Sequence, residues 1–282
     1  MLPLAATATE DLWTAWSLDP IVLAGAAVAI AFFLHGWKRL HRRRPALAPW
    51  TRILLFVAGV VVVVVALVSP LDAIAEEYLQ SAHMLQHVLV ADLGVALALL
   101  AVRGPLSFFV IPRDLLAPLA RRAGLRATVS FLLRPVVAVP LWLAVLVAWH
   151  IPALYEATLE QPLVHRLEHL SFLVVGLLVW TLIIDPSGHR RLGVNGRIGL
   201  AVVLLWAGQL LAYAFVFSFE PYYDVYVDQP ERLFGLSPLT DQKLAGAVMM
   251  AEQALTLGLA LVLLVRLARR PRDARSVTPE PA

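Results

Sequence analysis

Long apolar stretches separated by short polar breaks dominate the chain. Seven of them are long enough to cross a bilayer as a helix, which takes about 20 predominantly apolar residues. The predicted spans cover residues 20–37, 51–68, 83–102, 135–150, 165–184, 198–219 and 243–266. Segments such as residues 60–65 are continuously apolar, whereas a transmembrane β-barrel needs alternating apolar and polar positions. The pattern therefore predicts an all-α, polytopic transmembrane bundle.

The composition agrees with a membrane protein. The 282 residues are 60% hydrophobic and 15% charged, whereas soluble domains carry about 25% charged residues. We expect one membrane domain over residues 1–271, with Asp19 capping its first helix before Pro20, and a disordered cytoplasmic tail over residues 272–282. Because the chain has no cysteine, any metal must be held by histidine, methionine or carboxylate.

Basic residues mark one side of the predicted bundle. All but three of the 23 Lys and Arg residues lie after the first, third, fifth and seventh spans, the exceptions being Arg166, Arg232 and Lys243. Since Lys and Arg concentrate in cytoplasmic loops, the N-terminus is predicted outside and the C-terminus in the cytoplasm. Juxtamembrane arginines facing the lipid bilayer also account for the pI near 9.5. We therefore expect no nucleic-acid partner.

Two stretches outside the spans have an unusual composition. Residues 104–126 combine prolines, arginines and apolar residues, which predicts a segment lying on the cytoplasmic leaflet. Residues 220–238 are acidic and aromatic, with Tyr222, Tyr223 and Tyr226. This longest outer loop is either a surface for a partner or part of an interfacial aromatic belt.

Five of the eight histidines fall on the outer side of the predicted bundle. His83 and His87 open the third span, His150 closes the fourth, and His165 and His169 open the fifth. The i, i+4 spacing of each pair places both imidazoles on one face of a helix. Protonatable groups inside a bilayer are costly unless they are paired or functional. The cluster predicts an outward-facing metal site, with interfacial anchoring of the histidines as the alternative. If the site is single, the third and fifth spans are neighbours and their two histidine pairs converge.

Methionines bear on the identity of the metal. Imidazole suits copper, zinc and iron, whereas a thioether selects reduced copper. Met84 adjoins His83, and Met249 lies in the seventh span. Together with the histidines they favour copper, although methionine in an apolar helix is also a common packing residue.

The seventh span carries a stripe of small and polar residues. Gln242, Gly246, Met249 and Gln253 follow one another at i, i+4, i+7 and i+11 and share one helix face. Gln253 would be costly toward lipid, and Gly246 permits close approach of another helix. The stripe is therefore predicted to face the interior.

Three further polar residues form a predicted midplane layer. Counted from the outer ends of their spans, Asp92, Gln209 and Glu252 all lie about 13 to 15 Å deep. Such groups are either a structural hydrogen-bonded network or a proton-handling one. Asp92 is about 180° around its helix from His83, so we do not expect it in the same ligand set.

Five strings carry a resemblance to a known family. They are SPLD at 69–72, YLQSAHMLQH at 78–87, WHIPALYEATL at 149–159, HRLEHLSF at 165–172 and LSPLTDQKLAGAVMM at 236–250. In this order they resemble the CtaG-type multi-spanning assembly factors of bacterial cytochrome c oxidase. The resemblance implies a non-enzymatic protein of the bacterial plasma membrane that aids copper-centre maturation, with oxidase subunits as partners. It falls on His83, Met84, His87, His150, His165, Glu168, His169, Asp241 and Gln242.

Two other functions are compatible with parts of the sequence. A haem-binding electron carrier could use His87 and His169 as axial ligands, but the other three outer histidines would then have no role. A proton-coupled transporter could use Asp92 and Glu252 at the midplane.

Overall fold

The computed structural model describes residues 12–189 and 191–269, and this part of the chain contains helices and no strands. The predicted tail over residues 272–282 lies outside the described residues. The helices are α1 (Pro20–Arg43), α2 (Thr51–Val68), α3 (Pro70–Glu77), α4 (Gln80–Val102), α5 (Arg113–Arg121), α6 (Ala123–Leu132), α7 (Pro135–Ala148), α8 (Pro152–Glu160), α9 (Pro162–Ile184), α10 (Val194–Val216), α11 (Asp224–Asp228) and α12 (Pro238–Ala268). Short 3-10 turns cover Pro45–Leu47, Gly104–Phe108 and Leu233–Gly235.

Six helical segments of the described chain are long and apolar enough to cross a membrane. They are α1, α2 with the turn before it, α4, α9, α10 and α12. The predicted fourth span is different, because α7 has only 14 residues and about 20 are needed. α6 and α7 meet at a bend of 70° and make a seventh candidate when counted as one broken span. The all-α multi-spanning prediction is confirmed, with six or seven candidate spans.

Local sequence explains the bend between α6 and α7. Arg134 precedes Pro135 and has extended backbone angles, φ −79° and ψ 130°. Proline disfavours the α conformation in the residue before it, and the extended Arg134 interrupts the helix at this position. The α5 and α6 helices before the bend have no buried residue.

Capping residues and prolines set the beginning of two spans. Asp19 accepts hydrogen bonds from the backbone N–H of Ile21 at 2.7 Å and of Val22 at 3.2 Å, so the predicted cap of α1 is confirmed. Ser237 caps α12 in the same way, with Pro238 at the first helical position. The side-chain oxygen satisfies N–H groups that have no partner within the helix.

Helix α4 lies at the centre of the bundle. It contacts α2, α3, α9 and α12, and 50% of the residues in its most apolar 18-residue stretch are buried, against 17% for α1. Leu89–Gly94 forms a π-helical segment within it. Gly176 of α9 packs so closely here that a Cβ would lie 2.2 Å from the Ala91 carbonyl oxygen. Only glycine therefore lets α9 approach α4 at this level.

The predicted inward stripe of the last span is confirmed. Gln242, Met249 and Gln253 are all buried, and α12 makes its most extensive contacts with α10. A Cβ at Gly246 would lie 2.7 Å from the carbonyl oxygen of Ala212. The small residue thus allows α10 and α12 to pack with their backbones close together.

The aromatic loop before α12 was expected to be a partner surface or part of an interfacial aromatic belt, and the structure differs from both. Tyr223 and Tyr226 are buried, at 1% and 4% exposure, and only Tyr222 is exposed, at 41%. The Tyr226 hydroxyl contacts that of Tyr155 at 2.9 Å and donates to the Ala75 carbonyl at 2.9 Å. A partner surface or aromatic belt built from Tyr223 and Tyr226 is therefore wrong, because internal hydrogen bonding draws both rings into the bundle.

Candidate metal centre

Helices α4 and α9 bring the two histidine pairs face to face. Within the pairs, ring centroids are 4.4 Å apart for His83 and His87 and 4.2 Å apart for His165 and His169. Between the pairs, His83 and His165 are 5.4 Å apart, as are His87 and His169. The predicted convergence of these four residues on neighbouring helices is confirmed. We call this end of the molecule the histidine end of the bundle.

A fully buried carboxylate lies between the two helices. The Glu168 Oε2 atom is 3.4 Å from Nε2 of His83, and its Oε1 atom is 3.5 Å from Nε2 of His87. Together with His169 these residues offer four ligand atoms that all lie within 4.8 Å of one another. We call these four residues the metal centre. Small side-chain movements would bring each atom to the roughly 2 Å that metal–ligand bonds require.

Most of the polar side-chain atoms of the metal centre have no hydrogen-bond partner. Both nitrogens of His83, both of His87 and both carboxylate oxygens of Glu168 are buried without a hydrogen-bond partner, as is Nε2 of His169. Each unsatisfied buried polar atom costs about 1–3 kcal/mol, so such atoms are normally paired. A bound cation would be coordinated by one ligand atom from each of the four residues, and its charge would compensate the buried carboxylate. The donor set therefore fits a metal ion.

His165 lies at the rim of the metal centre. Its Nδ1 atom donates to Oε1 of Glu76 on α3 at 2.5 Å, while its Nε2 atom is buried without a partner. The hydrogen bond with His165 lowers the pKa of Glu76. Burial, with the neighbouring charge of Glu76, raises the pKa of Asp72 to about 6.

Sequence reasoning did not place Glu76 in the site. The only signal was a group of acidic residues, Asp72, Glu76 and Glu77, shortly before the third span. Helix periodicity cannot relate Glu76 to His165, because the two side chains belong to different helices. Their contact depends on how α3 packs beside α9.

His150 is close to the metal centre but is not part of it. Its Nδ1 atom donates to the Leu146 carbonyl at 2.7 Å, and its ring is 5.6 Å from that of Phe215. The Nε2 atom is buried without a partner, and His150 interacts electrostatically with Glu168. Its role as a ligand stays a prediction.

The two candidate methionine ligands lie in an aromatic cluster. This cluster contains Met84, Tyr155, Ala212, Phe215, Tyr223, Tyr226, Ala245 and Met249. Tyr155 borders the metal centre, since its ring centroid is 5.0 Å from that of His83. The apolar surroundings of Met84 and Met249 favour packing, and their role as soft ligands stays a prediction.

Asp241 holds the N-terminus of α4, and Gln242 holds the segment between α10 and α11. Asp241 accepts from the backbone N–H of Gln80 at 2.7 Å and of Ser81 at 3.3 Å. It therefore caps α4 from a different helix, and its negative charge also favours the N-terminus of α4. Gln242 accepts from the Tyr222 N–H at 2.7 Å and donates to the Ser218 hydroxyl at 2.7 Å.

Members of the midplane layer lie outside the metal centre, as predicted for Asp92. Asp92 accepts from Nε1 of Trp180 at 2.8 Å, and Gln209 donates to the Met250 carbonyl at 3.2 Å. Both carboxylate oxygens of Glu252 are buried without a hydrogen-bond partner. Asp92 and His83 nevertheless both face α9, because Asp92 lies in the π-helical segment, where the rotation per residue is smaller than in an α-helix.

Comparison with known proteins agrees with the earlier resemblance. The family model described as cytochrome c oxidase caa3 assembly factor (Caa3_CtaG) matches residues 31–270. This range contains all the candidate site residues. No curated protein and no solved structure matches the chain. Because the family model covers most of the chain, this multi-pass membrane protein belongs to the cytochrome c oxidase caa3 assembly factor family.

Proposed function

We propose that this assembly factor carries copper as cargo at the metal centre and supplies it during maturation of the oxidase. One observation carries the proposal: His83, His87, Glu168 and His169 place ligand atoms within 4.8 Å of one another. Most of these atoms are buried without hydrogen-bond partners. A group of this kind is unfavourable unless it serves an ion.

The donor set suits temporary binding. Imidazole and carboxylate are ligands for copper, zinc and iron, and thiolates, which select reduced copper, are lacking because the chain has no cysteine. Copper is the metal that connects this donor set with oxidase assembly. A site without thiolate holds copper less tightly and can release it to an acceptor.

The proposal includes a membrane setting and partners. The protein resides in the bacterial plasma membrane with its N-terminus outside, contacts oxidase subunits and performs no catalysis. The uneven distribution of Lys and Arg supports this orientation. A reporter fused after Arg275 is expected to be active only in the cytoplasm, and one inserted near Tyr226 only outside. The reverse result would contradict an outward-facing metal centre.

Metal analysis of the purified protein tests the proposal. The full chain, prepared under reducing and under oxidising conditions, is expected to contain about one copper ion per chain, because four donors complete one site. A variant carrying His83→Ala and His87→Ala is expected to contain none. The variant His35→Ala is the matched control, since His35 is exposed on α1.

Other outcomes of this measurement are informative. Zinc in place of copper would contradict the proposed cargo, and a Soret band would assign haem instead. Equal copper content in the wild type and the double variant would show that the metal lies elsewhere.

A further inference from the structure

A cleft connects the metal centre with the surroundings of the protein. It lies between α1, α2, α4 and α9 and has a volume of about 1000 Å³. Most of its lining is apolar, but Asp19, Asp72, Glu76, His165, Arg166 and His169 also line it. The other three members of the metal centre lie behind His165 and His169. A cation entering from the cleft therefore meets these two histidines first.

His165 is placed to bind a cation from the cleft and transfer it to the metal centre. Its Nδ1–H group is bound to Glu76, so Nε2 is the nitrogen that can bind a cation once it carries no proton. The side chain of His165 is only 7% exposed, and Nε2 has no hydrogen-bond partner. Its ring is 4.2 Å from that of His169 and 5.4 Å from that of His83. A carboxylate bound to the far nitrogen is the usual way in which proteins orient a histidine ligand.

Glu76 supplies negative charge where the site meets water. Its side chain is 41% exposed, whereas that of His165 is buried, so the pair connects solvent with the interior. Arg166, which adjoins His165 and also lines the cleft, is bound to Asp19 at 3.1 Å. A cation approaching Glu76 is therefore attracted and meets little opposing charge.

We propose that Glu76 and His165 form an access relay for copper. The proposal rests on the proposed function and adds the route by which the metal centre is loaded. Copper binds first to Nε2 of His165 and then moves to the metal centre by ligand exchange. The bond to His165 breaks as bonds to the inner ligands form, and the oxidation state of copper does not change. The Nδ1 proton stays on His165, hydrogen-bonded to Glu76.

The relay predicts that its two residues affect the rate of copper uptake and not the final amount of bound copper. Removing Glu76 slows copper uptake at least about 10-fold, because charge at the mouth of a site raises association rates by about 10- to 1000-fold. Removing His165 also slows uptake, because the first ligand on the route is lost. The final amount of bound copper stays the same, because the four residues of the metal centre determine it.

Uptake kinetics of the full chain in lipid nanodiscs test this prediction. Copper(I) is supplied as its bicinchoninate complex, and loss of the coloured complex reports transfer to the protein. Glu76→Gln and His165→Asn are expected to be slow, and Glu76→Asp to recover most of the rate because it retains the charge. Glu77→Gln is the matched control, since it removes the same charge from an exposed neighbour on α3 and is expected to load at the wild-type rate.

The outcomes distinguish the relay from the metal centre itself. Wild-type rates in Glu76→Gln and His165→Asn would overturn the relay and leave copper binding intact. A lower final copper content in His165→Asn would also overturn it, because His165 would then be a permanent ligand. A wild-type protein that takes up no copper would overturn the proposed function.

Discussion

The metal centre and the midplane layer both hold ionisable groups inside the bundle, yet they are built differently. In the metal centre, donors from α4 and α9 converge within 4.8 Å and have few hydrogen bonds. In the midplane layer, Asp92 bonds to Trp180 and Gln209 bonds to the Met250 backbone. Both carboxylate oxygens of Glu252 are buried without a hydrogen-bond partner.

The difference shows that buried polarity alone does not identify a site. Polar groups that each have a separate partner stabilise helix packing and need no ion. Several donors that point at a common position and lack partners destabilise the protein until a cation joins them. Convergence without hydrogen bonding is therefore the more specific mark of a metal site.

Replacing Glu168 by Gln is expected to have the largest effect. Loss of the central carboxylate should weaken copper binding by about 100-fold or more. The copper-free protein should not lose stability, because the variant removes a buried charge that has no complete partner. Copper added at about 100 times Kd should stabilise the wild type by about 2.7 kcal/mol and this variant far less. Thermal unfolding with and without copper measures both effects.

The exposed Glu160 provides the control for that experiment. Glu160→Gln on α8 removes a charge from the surface and should respond to copper as the wild type does. If Glu168→Gln instead lost about 3 kcal/mol or more without copper and still gained stability from it, Glu168 would be a structural ion-pair partner.

Replacing Gly176 by Ala tests the closeness of the two site helices. The added methyl group would meet the Ala91 carbonyl and push α9 away from α4, which should destabilise the protein by about 1–3 kcal/mol. Copper affinity should fall as the histidine pairs separate. Gly25→Ala is the control, since no atom lies within 4 Å of its added Cβ. Unchanged copper affinity in Gly176→Ala would show that the site tolerates a wider spacing.

Neutralising the midplane layer is expected to change little at the metal centre. Copper affinity in Asp92→Asn and Glu252→Gln should stay within about twofold of the wild type, because distant sites act independently to within about 0.3–0.5 kcal/mol. Copper titration and oxidase maturation in cells measure the two properties. Lost maturation with normal copper binding would assign the layer a proton-handling role.

Replacing Met249 by Leu is expected to have the smallest effect. Met249 packs in the aromatic cluster, and a volume-conserving exchange there costs under about 1.5 kcal/mol. Oxidase maturation should be normal, as in the neighbouring control Met250→Leu. A selective loss of copper(I) binding in Met249→Leu would instead identify its sulfur as a ligand.

The sequence alone was sufficient for the features that depend on one helix at a time. A span requires a certain length of apolar residues, so six of the seven predicted span positions follow from hydropathy. Helical periodicity places His83 with His87, His165 with His169, and Gln242 with Met249, on shared faces. The requirement to satisfy helix N-termini located the beginning of α1 at Asp19.

Apart from the convergence of the two histidine pairs, only the tertiary structure decided which of these faces meet. The contact of Glu76 with His165, the capping of α4 by Asp241 and the position of Glu168 between two histidines each join separate helices. Apolar length and helical period carry no information about which helices are neighbours, or about how far glycine lets them approach. For that reason the sequence determined a bundle of membrane helices with histidines at one end, and helix packing determined which donors share one ion.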